Sequence, residues 1–209
     1  MQTLSVNDVT NMVAKMTEVI IENEVPFCEL DSAAGDGDFG MSLAKGFKVI
    51  KSEWDNLNKD DFSIFLKECS MIITEHCGGA SGPIWGSAFR SASKSAVGKV
   101  EYGVSELAEL LQGAVDGIQK RGGAKLGDKT LLDALIPATE SLKQSAEAGE
   151  ALTDAMRRSA QKAVEGAEST KDIIAIKGRA SYLGERSLKY PDAGATAIGI
   201  IFTAITESI

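Results

Sequence analysis

Apolar residues return every three to four positions along almost the whole chain, and that spacing leaves little room for anything but α-helices. Val9, Met12, Val13, Met16, Val19 and Ile20 form one such stripe, preceded by Ser5-x-x-Asp8 as a capping signal. A second helix is expected from just after Gly40 to about Trp54, and a third carries Phe62, Phe65, Leu66, Cys69, Ile72 and Ile73 on one face. Pro83 suits the first position of a fourth, running towards Val97. Ser105 opens a fifth with Leu107, Leu110, Leu111, Ala114, Val115 and Ile118 inward. Thr130 opens a sixth reaching Leu142, with Pro137 as a point of kinking. Thr153 caps an alanine-rich seventh, extending to about Ala175, and the last holds Ala195, Ile198, Phe202 and Ile205. No segment alternates as a half-buried strand would. The expectation is an all-α, single-domain bundle of about eight helices spanning residues 1–209.

The breaks between helices are where glycine collects: Gly35-Asp36-Gly37-Asp38-Phe39-Gly40, Gly78-Gly79-Ala80-Ser81-Gly82-Pro83, Arg121-Gly122-Gly123, Gly178-Arg179 and Asp192-Ala193-Gly194. In an up-down bundle alternate loops lie at the same end, so several of these polar segments are expected at one rim.

Asp31, Asp36 and Asp38 crowd three carboxylates into eight positions, an arrangement that repels itself unless a cation neutralises it. Hard oxygen donors suit Mg2+ or Ca2+ rather than zinc. An EF-hand is excluded, since position 12 counted from Asp31 is Ser42 and not glutamate. Gly78 to Pro83 leads into a helix, which makes an anion cradle of backbone amides. It is not a Walker A loop, because no Lys-Ser/Thr follows. A cation loop and an anion cradle together point to a metal–nucleotide. Arg179 and Arg186 are candidates to place charge on a phosphoryl group, Arg179 as the candidate catalytic residue. Thr130 and His76 read as helix-end residues, and Trp54 and Trp85 as packing.

Other functions are disfavoured. A net charge of -8 with scattered Lys and Arg offers no stripe for nucleic acid. No apolar run is long enough to span a bilayer, and Met1 to Val9 has no signal-peptide pattern. Cys28, Cys69 and Cys77 form no C-x-x-C pair, and a single histidine leaves zinc without its usual ligands. Reduced thiols and a cytoplasmic location are the expectation.

The ordered motifs, ending with Gly127-Asp128-Lys129-Thr130, Gly178-Arg179-Ala180-Ser181-Tyr182-Leu183-Gly184-Glu185-Arg186 and Asp192-Ala193-Gly194-Ala195, resemble those of the nucleotide-binding L subunit of dihydroxyacetone kinases, over essentially the whole chain. The resemblance implies an eight-helix antiparallel barrel with ADP or ATP at one rim. It implies that Asp31, Asp36 and Asp38 hold two Mg2+ ions, and that Phe39, Gly40, Met41, Ser42, Gly79, Ala80 and Ser81 line the phosphates. Gly122, Leu131, Arg179, Asp192, Ala193 and Gly194 would surround the rest of the nucleotide. The implied partners are a substrate-carrying K subunit, a phosphocarrier M subunit that recharges bound ADP, and a transcription regulator. Phe39 stands where the family usually has histidine, and Ala193 where it has proline. The first departure keeps open a kinase subunit for another short sugar. A regulatory binding module and a purely structural bundle are the rivals of other classes.

Overall fold

The computed structural model describes residues 3–209. Nine α-helices run through them: α1 Val6–Glu22, α2 Glu24–Ser32, α3 Phe39–Ser52, α4 Phe62–His76, α5 Ser81–Ser95, α6 Val104–Gly122, α7 Leu132–Glu147, α8 Leu152–Ser169 and α9 Ala193–Glu207. Three 3-10 segments, Trp54–Asn56, Thr170–Asp172 and Arg179–Ser187, lie in the connections. Leu4–Ser5 pairs antiparallel with Glu101–Tyr102, tying the start of α1 to the loop before α6.

Eight of the nine helices close a ring in which α1, α3, α4, α5, α6, α7, α8 and α9 each pack on the next, and α9 returns to α1. The ring agrees with the all-α bundle expected from the periodicity and with the eight-helix barrel that the family resemblance implies. The ninth, α2, stands outside the ring and packs chiefly on α3. The apolar stripes face inward as their spacing requires: Val9, Val13, Val19 and Ile20 of α1 are buried, as are Leu107, Leu110, Val115 and Ile118 of α6. The interior is not completely filled. An apolar cavity of about 180 Å3 remains, bordered by Met12, Met16, Leu110 and Phe202 among others. Trp85 packs edge-on to Phe47 at 6.2 Å and Trp54 edge-on to Phe65 at 5.4 Å.

Side-chain caps mark the starts of α1, α4 and α9. Ser5 and Asp8 form the reciprocal capping box of α1. Asp61 caps α4, its Oδ1 accepting the Ile64 N–H at 3.1 Å. Asp61→Ala is therefore expected to cost about 1 kcal/mol, measured by urea unfolding. Five starts differ from the sequence expectation, with α3 beginning at Phe39 rather than after Gly40 and α6 at Val104 rather than Ser105. α5 begins at Ser81, two residues before Pro83, because the glycines ahead of it let the turn close early. α8 begins at Leu152 with Ala151 extended before it, which leaves Thr153 inside the first turn. Its α-helix ends at Ser169, short of Ala175, where Thr170 turns its hydroxyl back to the Ala167 carbonyl. α7 begins two residues after Thr130, whose Oγ1 still accepts the Leu132 N–H at 3.2 Å. Pro137 does not end α7, which continues as one helix to Glu147.

Ring order fixes where the loops go. The connections 23–38, 77–80, 123–131 and 170–192 are every other one, so an up-down ring brings them to one rim. The opposite rim carries 53–61, 96–103 and 148–151. Cys69 and Cys77 are buried, Cys28 is half-buried, and all three are free thiols. Burial pushes the two buried ones up, to about 12 and about 11 respectively. No helix among the described residues is long and apolar enough to cross a membrane.

Candidate functional site

The acidic loop begins at the end of α2. Asp31 Oδ2 accepts the backbone N–H groups of Gly37 at 2.9 Å, Asp38 at 3.1 Å and Phe39 at 3.4 Å. Those three bonds wrap the loop around one carboxylate. The wrap needs Gly37 at φ +75°, which a side chain would strain. Asp38 sits at the N-cap of α3 but makes no capping bond, so its carboxylate stays available. Asp36 is exposed, and one oxygen from each of the three aspartates falls within 4.8 Å of the others. Burial raises the Asp31 pKa above the ordinary carboxylate value, more than the three amide bonds lower it, and the neighbouring Asp36 charge adds to the rise. A divalent cation would relieve that tension, and three hard oxygens within this span fit Mg2+.

Opposite lies the start of α5. Gly78 N–H is bound to the Ser42 carbonyl at 2.9 Å, which seats the glycine turn on α3. Ala80 at the N-cap offers no side-chain acceptor; the Ser81 N–H is taken by the Gly78 carbonyl at 3.1 Å and Pro83 has none, which leaves the Gly82 N–H as the leading amide of α5 without a protein acceptor among the described residues. An uncapped amide and the positive end of the helix dipole favour an anion.

Loop 123–131 is held by buried acids. Asp133 accepts the N–H groups of Gly127 at 2.6 Å and Thr130 at 2.7 Å, and Asp128 accepts that of Lys125 at 3.0 Å. The last connection forms a strap over residues 173–191. From it Arg179 reaches across the cleft, Nη1 to Asp36 Oδ2 at 2.6 Å. Asp192 ends the strap and caps α9 through the Ala195 N–H at 2.8 Å. Burial raises the Asp192 pKa to about 7; Asp133 and Asp31 push the same way, while the Ala195 bond and Lys129 oppose.

These four connections enclose one cleft of about 250 Å3. Of the residues expected to form a site, Asp31, Asp36, Asp38, Phe39, Ser42, Gly79, Ala80, Ser81, Leu131, Arg179, Asp192, Ala193 and Gly194 all line it. Gly40, Met41 and Gly122 lie just behind the lining. Gly40 is pressed against the backbone of α2 at Glu24 and Cys28, Met41 donates its N–H to Cys28 Sγ at 3.2 Å, and Gly122 backs onto Ile84, itself a lining residue. Arg186, on the same strap, is not part of the lining. Sequence reasoning assigned no role to Lys129 or Lys177, which both line the cleft. Only their membership of loops that converge on the rim hinted at it. Phe39 leans on Phe27 with ring centroids 5.9 Å apart, joining the cleft floor to the core.

An acidic wall faces an amide-rich, cationic wall across this cleft, which suits a metal-chelated phosphate. The model of the DAK2 domain matches residues 33–207. The ADP-binding subunit DhaL of the PEP-dependent dihydroxyacetone kinase of Escherichia coli is 33% identical over 195 residues, covering 93% of each chain. The corresponding subunit of kinase 1 of Listeria innocua is 36% identical over 191 residues, covering 91% of this chain and 90% of that one. The crystal structure of the C. freundii dihydroxyacetone kinase in complex with AMP-PNP and Mg2+ superposes with a TM-score of 0.75 at 26% identity, covering 95% of this chain and 33% of that larger one. The chain belongs to the DAK2 domain family, as a DhaL-type subunit.

Proposed function

We propose that this protein is the ADP-binding subunit of a dihydroxyacetone-type kinase, passing a phosphoryl group from a bound magnesium nucleotide to dihydroxyacetone, or a similar short sugar, held on a partner K subunit. The single observation that carries the reading is the cleft itself: three carboxylates face the uncapped amino end of α5, and Arg179 spans the gap.

Asp31, Asp36 and Asp38 would hold two Mg2+ ions, which supply charge neutralisation and alignment of the phosphates for in-line transfer. The Gly82 amide at the start of α5, with the Ser42 and Ser81 hydroxyls, would take non-bridging phosphate oxygens. Leu131, Ala193 and Gly194 give an apolar margin on which the nucleoside rests. Arg179 exchanges Asp36 for the transferring phosphoryl group, where its charge counts most in the transition state. No proton need be removed by this chain, since the acceptor hydroxyl lies on the partner. Bound ADP, recharged by a phosphocarrier M subunit, then acts as a coenzyme. Free thiols and the acidic surface fit a cytoplasmic setting.

The test is calorimetric titration of ADP with and without Mg2+, followed by assay of dihydroxyacetone phosphate formation with a K subunit. Magnesium-dependent ADP binding and turnover are expected. A chain that binds no nucleotide under either condition overturns the reading.

A further inference from the structure

The strap over residues 173–191 has little apolar reason to stay in place. Tyr182 is 87% exposed, Ile176 58% and Tyr190 46%, while Ala175 and Ser187 are among its few buried residues. Nevertheless it carries Arg179 to the cleft and delivers Asp192 to the start of α9. What holds it is polar, and it centres on Lys129.

Lys129 is 1% exposed, unusual for a lysine, and it makes no ion pair among the described residues. Its Nζ donates instead to three main-chain carbonyls of the strap and its root: Ser187 at 2.6 Å, Tyr190 at 2.8 Å and Ile173 at 3.2 Å. All three ammonium donors are accounted for. Burial lowers the Lys129 pKa from its ordinary value, and the carboxylates of Asp192 and Asp172 oppose that from farther off. The backbone at Lys129 is left-handed, φ +61°, a conformation a non-glycine residue keeps only when its surroundings hold it there. Asp133 supplies that hold by fixing the amides of Gly127 and Thr130 on either side. A second stitch is Ser187 Oγ, which accepts the Ala175 N–H at 3.0 Å and donates to the Gly184 carbonyl at 2.7 Å. The Ile176 N–H reaches the Asp128 carbonyl at 3.4 Å. Both ends of the strap are thus fastened to loop 123–131, and the residue touching both ends is Lys129.

We propose that Lys129 is the positioning residue of the nucleotide site: with its ammonium group fully engaged by the strap, it touches no phosphate itself and acts by holding Arg179 over the cleft. This rests on the nucleotide reading above, and the test separates the two. A buried ammonium bound by three carbonyls has no donor left for a ligand, so its effect must pass through the strap.

The experiment compares wild-type protein with Lys129→Met, using limited trypsin digestion and Mg-ADP titration. Trypsin has sites at Lys177, Arg179, Arg186 and Lys189 within the strap. In Lys129→Met these are expected to be cut on the order of tenfold faster, with cleavage elsewhere and helicity unchanged. Mg-ADP affinity should fall on the order of tenfold as well, and adding Arg179→Ala should produce little further loss, as expected of two residues in one unit. Lys129→Gln, which keeps an amide donor, serves if the Met variant does not fold and should lie between. Unchanged strap cleavage, undiminished affinity with a loosened strap, or cleavage rising equally at every site would each overturn the proposal. Lys129-dependent strap protection in a wild-type protein that binds no ADP would leave the anchor intact and remove the nucleotide reading instead, and with it the positioning role.

Discussion

Asp36→Ala is expected to weaken Mg-ADP binding at least ~100-fold, roughly 3 kcal/mol, while leaving the circular dichroism spectrum and melting temperature near those of the wild type. The two halves of that expectation come from the same geometry. Asp36 is exposed, and its recorded partner is Arg179, a pair whose own stabilisation is small because solvent screens it. Removing the carboxylate therefore leaves the fold alone. It does remove one of three carboxylates gathered within 4.8 Å, and an isolated hard cation depends on their summed charge. Asp31→Ala makes the contrast: it loses a proposed metal ligand and also the acceptor for three loop amides, so loop order and stability should fall together. Calorimetry at saturating Mg2+, with Mg-free ADP as the reference, measures the first effect. Wild-type affinity in Asp36→Ala would sink the metal assignment.

Gly40→Leu is the second large effect, and here the fold gives way along with the site. A Cβ on Gly40 would overlap the Glu24 carbonyl oxygen and stand 2.9 Å from the Cys28 nitrogen. Both are backbone atoms of α2, so the strain is relieved only by moving that helix. Overpacking of this kind costs about 3 kcal/mol, which for a chain of this length lowers the melting temperature by roughly 6–12 °C. Because α2 carries Asp31 at its end, the shift should also abolish Mg-ADP binding. Thermal unfolding followed by circular dichroism reads the first consequence, calorimetry the second. Stability unchanged in Gly40→Leu would mean that α2 is free to swing away from α3. Gly40 was expected to line the phosphates; its position makes close packing of α2 on α3 its visible role.

Much of this architecture is local, and local information is legible in a one-dimensional chain. The helical stripes of α1, α4 and α6 arise from spacing alone, since one face of each helix must be dry. The Ser5–Asp8 capping box is closed by residues three apart. The parity of an up-down ring then sends every second connection to the same rim, which is why the glycine-rich segments meet. The crowding of Asp31, Asp36 and Asp38 is likewise written in eight consecutive positions.

What the sequence by itself left open depends on contacts between distant segments. The short helix α2 has a weak apolar stripe, with Phe27 its one buried residue, and its place against α3 is set by Gly40 on the partner helix. The start of α7 at Leu132 goes with a use of Asp133 that local spacing does not show, its carboxylate binding two loop amides. Lys129 is the clearest case. A lysine beside an aspartate in a glycine loop reads as solvated, because burying an ammonium group is costly without partners. Its partners are carbonyls 44, 58 and 61 residues away, and no local pattern announces them. Sequence alone determined the helical ring, the rim and the carboxylates; the tertiary structure decided that the strap is held by a buried charge, because only the closed ring brings those carbonyls to it.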